Sequence, residues 1–483
     1  MHWAPVLRIV GILVMLFSFT MLPPALVALI YQDDGLMPFL SAFGLLLVFG
    51  MLLWLPVCRN RQELRTRDGF LIVVLFWVVL GLSGAVPLTL SQAPNISITD
   101  AAFESMSGLT TTGATILSGI DDLPHSIRFY RQQLQWLGGM GIIVLAVAIL
   151  PMLGIGGMQL YRAETPGPVK DTKLTPRIAE TAKALWYIYL TITVACASAY
   201  WLAGMDAFDA IGHSFSTVAI GGFSTYDASI GHFQSSAISL IATVFMLIAA
   251  INFSVHFFAW RTRNPLTYFK DPEVRWFGAI MLTLMLVVVA TLLLLGHYSQ
   301  WNDAVVNGIF HAVSIGATAG FTTDDISAWP LYLPALLLFV AFIGGCAMST
   351  AGGIKVIRFM LLIKQGYREV IRLIHPQALV PIKIGGKAVP DRVVNAVWGF
   401  FSAYVALFTL MMLILLGTGL DQVTAFSAVA ANITNLGPGL GEVAANYANI
   451  SGTAKWTLMF AMLLGRLEIF TLLVLLTPAF WRH

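Results

Sequence analysis

Ten apolar segments, each long enough to cross a lipid bilayer, constrain this chain more than any other feature of its sequence. A bilayer core takes about 20 consecutive apolar residues per helix. With 11 % charged and 58 % hydrophobic residues, the chain has too little charge to cover a soluble fold. We therefore predict an all-α polytopic membrane protein. The expected spans lie near 7–30, 37–57, 69–91, 132–158, 181–204, 236–259, 276–296, 330–363, 393–418 and 456–480.

The basic residues fall almost entirely on one side of these spans. Of the 27 Lys and Arg residues, 23 lie in the even-numbered loops and at the two ends, and three lie in the odd-numbered loops. Because Lys and Arg are enriched in cytoplasmic loops, we predict that both termini are cytoplasmic. The net charge of +3 gives no indication of a nucleic-acid partner.

Four shorter segments on the outer side align with one another without gaps. Each begins with a residue suited to a helix N-cap and reaches a glycine thirteen residues later. The pairs are Asp100 and Gly113, Asp209 and Gly222, Asn307 and Gly320, and Thr424 and Gly437. One such segment alone would be read as a capped extracellular loop with a turn glycine. Four in the same register favour a repeat instead.

A segment of this length cannot cross the hydrocarbon, so a short helix must enter from outside and the chain must return. Non-helical backbone at membrane depth is tolerated inside protein or against a water-filled cavity. The partial negative charge at the helix C-terminus favours a cation there, and rings of backbone carbonyls can replace the hydration shell of K⁺. The pattern therefore predicts a pore for a monovalent cation.

The predicted architecture is four pseudo-repeated span–pore helix–span units around one central pore, plus two N-terminal transmembrane helices. The expected boundaries are 1–68 for the two extra helices, then 69–165, 166–264, 265–375 and 376–483 for pore repeats 1 to 4, with an intramembrane gating loop in repeat 3.

The glycine segments resemble the four filter loops of the Trk/Ktr/HKT superfamily of K⁺ transporters. They read TTTGAT (110–115), AIGGFST (219–225), ATAGFTT (317–323) and NLGPGLGE (435–442). The two leading spans and the stretch 156–190 are similar to the membrane subunit of the bacterial Trk branch. The resemblance covers essentially the whole chain.

This resemblance implies K⁺ as the transported ion and no cofactor in this chain. Glycine at position 113 favours K⁺, since serine there accompanies Na⁺ preference in plant members. The fourth loop departs from the others with Gly437-Pro438-Gly439, and proline supplies no N–H to hold it. The implied filter residues are Thr111, Thr112, Gly113, Ile220, Gly221, Gly222, Thr318, Ala319, Gly320, Asn435, Leu436 and Gly437.

Arg466 is a charge inside the last predicted span. A charge at the bilayer centre costs about 2.5–3.5 kcal/mol, so it needs a partner or a wet cavity. Glu468, two positions on, faces another side of the helix. One interpretation places Arg466 beside the pore below the filter, as an electrostatic barrier. The other is a structural ion pair, for example with Glu104. The resemblance favours the barrier, because the family has an arginine in this helix near the pore.

Two glycine pairs interrupt the predicted span 330–363 and disfavour a continuous helix. Such interruptions typically mark ion sites or moving parts, although close packing through small residues is an alternative. The resemblance implies an intramembrane gating loop here. Its residues would be Gly344, Gly345, Ser349, Thr350, Gly352 and Gly353.

Several isolated polar residues allow two interpretations. His213 and His311 share one alignment position and could titrate, but we expect buried, hydrogen-bonded side chains. We expect Lys355 to anchor at the membrane interface. Asn252 could contact the interrupted segment or make an ordinary interhelical hydrogen bond.

The sequence has no nucleophile–base pattern, Walker loop or paired carboxylates, so we expect a transport protein rather than an enzyme. Any nucleotide control must then come from a partner, and the basic inner loops, above all 355–392, are its expected dock. The resemblance implies a cytosolic TrkA-like nucleotide-binding (RCK) ring, a homodimer and the bacterial inner (plasma) membrane, with lipid contact and no nucleic acid. The alternative function is a K⁺/H⁺ or K⁺/Na⁺ symporter on the same scaffold.

Overall fold

The structure, a computed structural model, describes residues 3–59, 62, 66–141, 178–330, 332–467 and 469–481. The second half of the predicted span 132–158, the predicted boundary at 165/166 and Glu468 lie outside these residues. The described chain is helical, which confirms the all-α polytopic class. Its one sheet is a hairpin in the predicted inner loop, formed by Lys383–Ile384 (β1) and Lys387–Ala388 (β2).

The helices fall in three stretches of the chain. Up to residue 139 they are α1 Trp3–Ser18, α2 Leu22–Tyr31, α3 Leu36–Trp54, α4 Thr66–Ser83, α5 Ala85–Leu90, α6 Ile98–Leu109 and α7 His125–Gly139. Then follow α8 Ile178–Leu202, α9 Ala207–Ala219, α10 Ser236–Ala249, α11 Phe253–Thr262, α12 Leu266–Lys270, α13 Pro272–Leu294 and α14 Trp301–Gly316. The last are α15 Leu333–Ala341, α16 Val356–Ile374, α17 Asp391–Gly417, α18 Gln422–Ile433, α19 Gly452–Arg466, α20 Phe470–Leu476 and α21 Pro478–Trp481.

Within the described residues, six helical segments are long and apolar enough to cross a membrane, and each coincides with a predicted span. They are Trp3–Tyr31, Leu36–Val57, Arg67–Leu90, Lys183–Leu202, Pro272–Leu294 and Asp391–Gly417. In five of them less than half of the apolar window is buried within the chain. Apolar side chains that the chain itself leaves uncovered are suited to face lipid.

Three predicted spans are not single straight helices. The span 236–259 is broken between α10 and α11, which meet at 90°. The span 456–480 divides into α19 and α20, and 330–363 is non-helical between α15 and α16. The glycine pairs predicted the break in 330–363. The other two breaks were not predicted, because an apolar run stays apolar whether or not its backbone is bent.

Four short helices, α6, α9, α14 and α18, contain the aligned segments and are here called short helices 1 to 4. They have 12, 13, 16 and 12 residues, hence about 18–24 Å of length against roughly 30 Å of hydrocarbon. The core lies in and around them. All residues in 101–112 are buried, and so are all in 427–437.

The predicted caps of these helices were wrong by a turn. Ser97, Asp206 and Asp421 are the N-caps of short helices 1, 2 and 4, and their side chains accept backbone N–H groups of the first turn. Asp100, Asp209 and Thr424 therefore lie inside the first turn. Short helix 3 begins at Trp301, so Asn307 lies in its interior. The alignment found the register, but an equally good cap three residues earlier defines the start.

Candidate functional site

The four glycine segments 110–115, 219–225, 317–323 and 435–442, here called glycine loops 1 to 4, repeat one backbone conformation. The residue two positions before each glycine is left-handed, with φ of +55°, +54°, +66° and +55° at Thr111, Ile220, Thr318 and Asn435. The glycines themselves have φ of +81°, +80°, +81° and +95° at Gly113, Gly222, Gly320 and Gly437. Glycine adopts this region readily, whereas other residues are strained there.

One hydrogen bond recurs at the start of every glycine loop. The N–H just before the glycine donates to the carbonyl of a small residue in the last turn of the short helix. The pairs are Thr112 to Ser107 (2.8 Å), Gly221 to Ser216 (2.9 Å), Ala319 to Ser314 (2.6 Å) and Leu436 to Ala431 (2.7 Å). This bond ends the helix and turns each loop in the same way.

The glycine loops interlock in sequence order. A Cβ atom added to Gly113 would come within 3.0 Å of the Gly221 carbonyl oxygen, closer than real Cβ contacts. The same holds for Gly222 against Ala319, Gly320 against Leu436, and Gly437 against Thr112. Loop 1 therefore abuts loop 2, loop 2 abuts loop 3, loop 3 abuts loop 4, and loop 4 abuts loop 1. The twelve residues named from the sequence are thus brought together in one closed ring, with room at the four glycines for hydrogen alone.

A buried polar side chain at one shared position braces each of the first three loops. In short helix 1, Glu104 accepts the Ile116 N–H at 3.0 Å. In short helix 2, the Nε2 of His213 bonds the Ser224 hydroxyl at 2.9 Å. In short helix 3, the Nε2 of His311 accepts the Thr323 N–H at 3.2 Å.

Both histidines are buried and hydrogen-bonded, as expected. Their Nδ1 atoms face the carbonyls of Asp209 and Asn307 at 2.9 and 3.0 Å, and a carbonyl can only accept. Nδ1 therefore carries the proton, and the Nε2 of His311, which accepts from Thr323, is unprotonated. This arrangement favours a structural role over a titrating one.

The fourth loop is held differently, because Ala428 occupies the bracing position. Ser427, one residue earlier, accepts the Leu440 N–H at 2.8 Å. The Tyr447 hydroxyl donates to the Gly437 carbonyl at 2.7 Å. Two side chains thus hold this loop, in which Pro438 has no N–H to donate.

Helix α7 supplies a polar support that sequence analysis missed. Gln135 clasps loop 2, donating to the Gly221 carbonyl at 2.6 Å and accepting the Phe223 N–H at 3.0 Å. Arg131 donates to the Ser224 carbonyl at 2.9 Å and pairs with Glu104 at 2.7 Å, with both side chains almost fully buried. The signal was present in the unusually polar run 131–135 at the start of a predicted span.

This pair corrects one interpretation of Arg466. Glu104 is the partner of Arg131, so the predicted alternative of a Glu104–Arg466 ion pair is wrong. Arg466 ends α19 and donates to the carbonyls of Thr350 (3.4 Å) and Gly138, with its guanidinium 5.1 Å from the Trp77 ring centroid. Arg466 thereby joins α7 to the interrupted segment below the glycine loops.

The interrupted segment, residues 342–355 and here called the intramembrane loop, passes beneath three of the short helices. The Thr350 hydroxyl donates to the Val218 carbonyl at 2.9 Å. The Gly352 N–H donates to the Thr318 hydroxyl at 2.7 Å, and the Gly353 N–H to the Thr434 carbonyl at 3.0 Å. A Cβ at Gly352 would also collide with that carbonyl. The loop therefore lies directly under the ring.

Glu273 joins the middle of the intramembrane loop to the first turn of α16. One carboxylate oxygen accepts the Ala347 N–H at 2.8 Å and the Ile357 N–H at 3.1 Å. The prediction that Lys355 anchors at the interface was wrong, since its side chain is buried and donates to the Ala351 carbonyl. The buried N–H and C=O groups of the intramembrane loop need hydrogen-bond partners, and Lys355 supplies one for the Ala351 carbonyl.

Asn252 takes neither of the two predicted roles as its main contact. It caps α11, where its side chain accepts the Ser254 N–H at 2.8 Å. The backbone around it does meet the intramembrane loop: Cys346 N–H donates to the Ala250 carbonyl at 2.9 Å, and Phe253 N–H donates to the Met348 carbonyl at 3.1 Å.

A cavity of 490 Å³ lies against the glycine loops, and residues of all four loops line it. Its floor includes Gly113, Gly222 and Gly320, and its wall carries Asp227 and Asp324. In the described part of the chain, His, Cys, Asp and Glu side chains form no group that could hold a metal ion.

The fold and this arrangement define a polytopic membrane protein built for transport. Residues 35–482 match the family model of TrkH, described as a cation transport protein. The chain belongs to the TrkH family, which confirms the family predicted from the glycine segments. The predicted exclusion of an enzyme is also confirmed, because the named relatives are potassium uptake proteins.

Similar proteins extend over the whole chain. The Trk system potassium uptake protein TrkH of Vibrio parahaemolyticus is 62 % identical over all of both chains, and that of Escherichia coli is 59 % identical. TrkG of Escherichia coli is 42 % identical over all of this chain and 99 % of its own. The crystal structure of the potassium transporter TrkH from Vibrio parahaemolyticus covers both chains fully, with a TM-score of 0.91.

Proposed function

We propose that this chain is the K⁺-translocating membrane subunit of a Trk-type K⁺ uptake system, with channel-like permeation through the glycine loops. The observation that carries the proposal is the closed order of contacts around the ring, in which each glycine abuts a carbonyl of the next loop. The names of the relatives support K⁺ as the ion.

In this proposal K⁺ enters the cavity at the glycine loops from outside, where Asp227 and Asp324 favour cations, and sheds water into the ring. The four short helices direct their C-terminal ends, with partial negative charge, toward the same region. The Gly221 and Gly437 carbonyls each already accept one hydrogen bond and retain a second lone pair for an ion. The membrane potential drives K⁺ inward with about 2.3 kcal/mol per charge per 100 mV.

The intramembrane loop and Arg466 would form the gate below the ring. The loop crosses under three short helices, and Arg466 bonds the loop at Thr350. A positive guanidinium there opposes cation passage until the loop moves. Hydrogen bonds to separate helices hold the loop in place, and breaking them would let it adopt a second arrangement.

The gate would be controlled from the cytoplasm. We expect a homodimer in the bacterial inner membrane, with both termini cytoplasmic, docked to a TrkA-like nucleotide-binding ring. The exposed basic side chains that suit an acidic partner surface continue directly from the intramembrane loop. They include Lys383, Lys387 and Arg392.

The symporter alternative has less support. Of its candidate coupling groups, Glu104 is paired with Arg131, and His213 and His311 are engaged at both ring nitrogens. Glu468 lies outside the described residues. Obligatory coupling needs a group in the path that can exchange its proton.

Flux in proteoliposomes tests the proposal. K⁺, Rb⁺ and Na⁺ uptake would be compared with and without the cytosolic partner, while internal pH is recorded. We expect K⁺ and Rb⁺ uptake to exceed Na⁺ uptake, to follow the imposed potential and to move no stoichiometric proton. Proton entry in fixed ratio to K⁺ would establish the symporter instead.

A further inference from the structure

A second cavity, of 550 Å³, lies away from the ring, in the elbow where α10 meets α11. Its walls come from α8, from the elbow itself and from α11 and α12. The lining residues are Ile188, Thr191, Ile192, Ile248, Ile251, His256, Trp260 and Tyr268. The volume is within the range of about 300–1,000 Å³ that is usual for small-molecule sites.

The wall of this elbow cavity is hydrocarbon in character. Four of its lining residues are isoleucines, and the polar side chains of His256 and Tyr268 hydrogen-bond to each other. The Nδ1 of His256 bonds the Tyr268 hydroxyl at 2.8 Å, and its Nε2 bonds the Ile248 carbonyl at 2.9 Å. A polar ligand would find few free partners here, whereas an alkyl chain would lose nothing by entering.

Basic residues adjoin the lining of the elbow cavity in the chain, and the surface that they occupy is here called the rim. Arg261 follows the lining residue Trp260 in α11, Arg263 is the C-cap of that helix, and Lys270 lies two residues after Tyr268. All three basic side chains are exposed. Asp271, the N-cap of α13, offsets one of these three positive charges, whereas Glu273 is buried against the intramembrane loop.

The surroundings of the rim are those of a membrane interface. Trp260 and Phe269 are 68 % and 73 % exposed, and aromatic side chains concentrate at headgroup level. The loop holding these residues is one of the predicted cytoplasmic loops. Basic residues at that level attract anionic lipid headgroups.

We propose that the elbow cavity binds one anionic phospholipid of the cytoplasmic leaflet. An acyl chain fills the isoleucine-lined groove, and the phosphate lies among Arg261, Arg263 and Lys270. This site is independent of the pore proposal. The elbow cavity, which the proposed cation pathway does not use, would thus hold one class of lipid.

A lipid held there contacts the elbow from the side opposite the intramembrane loop. Ile248 and Ile251 face the cavity, while the backbone between and beside them, at Ala250 and Phe253, bonds Cys346 and Met348. The bound lipid therefore stabilises the bend and raises the thermal stability of the protein.

Lipid titration of the purified protein tests the site. Phosphatidylglycerol and phosphatidylethanolamine with identical acyl chains would be added separately, with bound lipid counted by native mass spectrometry and the melting temperature recorded. We expect one phosphatidylglycerol to bind about tenfold or more tightly than phosphatidylethanolamine and to raise the melting temperature further. Equal affinity for the two lipids would overturn the proposal.

Variants locate the binding. The triple change R261Q/R263Q/K270Q should weaken phosphatidylglycerol binding about tenfold, whereas the matched change K383Q/K387Q/R392Q should leave it unaltered. Thr191→Trp, at an exposed wall position, should block the groove for both lipids. Equal losses in the two triple variants, or full binding to Thr191→Trp, would contradict the assignment.

A quenching measurement does not depend on the groove-filling variant. Phosphatidylglycerol with brominated acyl chains should quench Trp260, and the quenched fraction should fall in Trp260→Phe. The same quenched fraction in the wild type and Trp260→Phe would place the lipid elsewhere.

Discussion

The glycine loops and the intramembrane loop beneath them are built in opposite ways. In the ring, each loop repeats one conformation and contacts its neighbour through equivalent atoms. Below it, a single segment from one part of the chain bonds Val218, Thr318 and Thr434, and Arg466 ties that segment to Gly138. Four loops with equivalent backbone geometry are suited to line one ion pathway together. A single segment that crosses below them is suited to move as one unit.

The bracing side chains refine this comparison. Short helices 1 to 3 use a shared position for the brace, but with a carboxylate in one and an imidazole in two. Short helix 4 moves the brace to Ser427 and adds Tyr447. The backbone of the ring therefore has approximate fourfold symmetry, whereas the side chains that brace it do not.

Breaking the brace of loop 1 should have the largest effect. Glu104→Gln leaves Arg131 as a buried charge without its counterion, so we expect a loss of about 3–5 kcal/mol in the free energy of unfolding. Chemical unfolding in detergent measures it.

The matched control for that change is Glu369→Gln, because this half-exposed carboxylate pairs with Arg372 and Arg368, and Arg368 keeps Asp391 as a second partner. We expect a loss below about 1 kcal/mol there. Similar losses in the two variants would mean that the Glu104–Arg131 pair does not hold loop 1.

Releasing the intramembrane loop should have an intermediate effect and should separate the two regions. Glu273→Ala leaves the Ala347 and Ile357 N–H groups without their acceptor, at about 1–3 kcal/mol for each buried group. We expect higher K⁺ flux without the cytosolic partner and an unchanged K⁺ to Na⁺ ratio.

Glu273→Gln keeps an acceptor oxygen and is the control for charge. Its flux should stay near that of the wild type. An altered K⁺ to Na⁺ ratio in Glu273→Ala would show that the ring and the loop below it are not separate in function.

The smallest effect should come from loop 4, where two side chains share the bracing. Ser427→Ala removes the acceptor of Leu440 but leaves Tyr447 bonded to Gly437, so we expect a loss of about 1 kcal/mol in unfolding free energy. Thr457→Ala, at an exposed helix position, should be nearly neutral. A loss as large as that of Glu104→Gln would remove the distinction between loop 4 and loop 1.

Sequence periodicity and charge were sufficient for the helical class, for six continuous spans and for the register of the four glycine segments. The register could be predicted because each segment has the same local backbone conformation, in which a left-handed residue precedes a glycine. The repeat boundaries and the roles of the site residues stay predictions.

Long-range partners were not accessible from the sequence. The alignment marked His213 and His311 as equivalent, but neither that Glu104 holds the same position nor which groups the three side chains bond. Arg131 was counted as a loop charge and is instead buried against Glu104. The break near Asn252 depends on contacts with Cys346 and Met348, almost a hundred residues away in the chain.

The ring itself is tested most directly by one matched pair of glycine changes. Gly113 and Gly119 both have left-handed φ, +81° and +67°, but a Cβ collides with the Gly221 carbonyl at the first and meets open space at the second. Each serine variant would be reconstituted, its insertion checked, and its permeability to K⁺ and Na⁺ measured. We predict that Gly113→Ser loses K⁺ over Na⁺ selectivity while Gly119→Ser keeps it. An inserted Gly113→Ser protein with wild-type selectivity and flux would contradict the account.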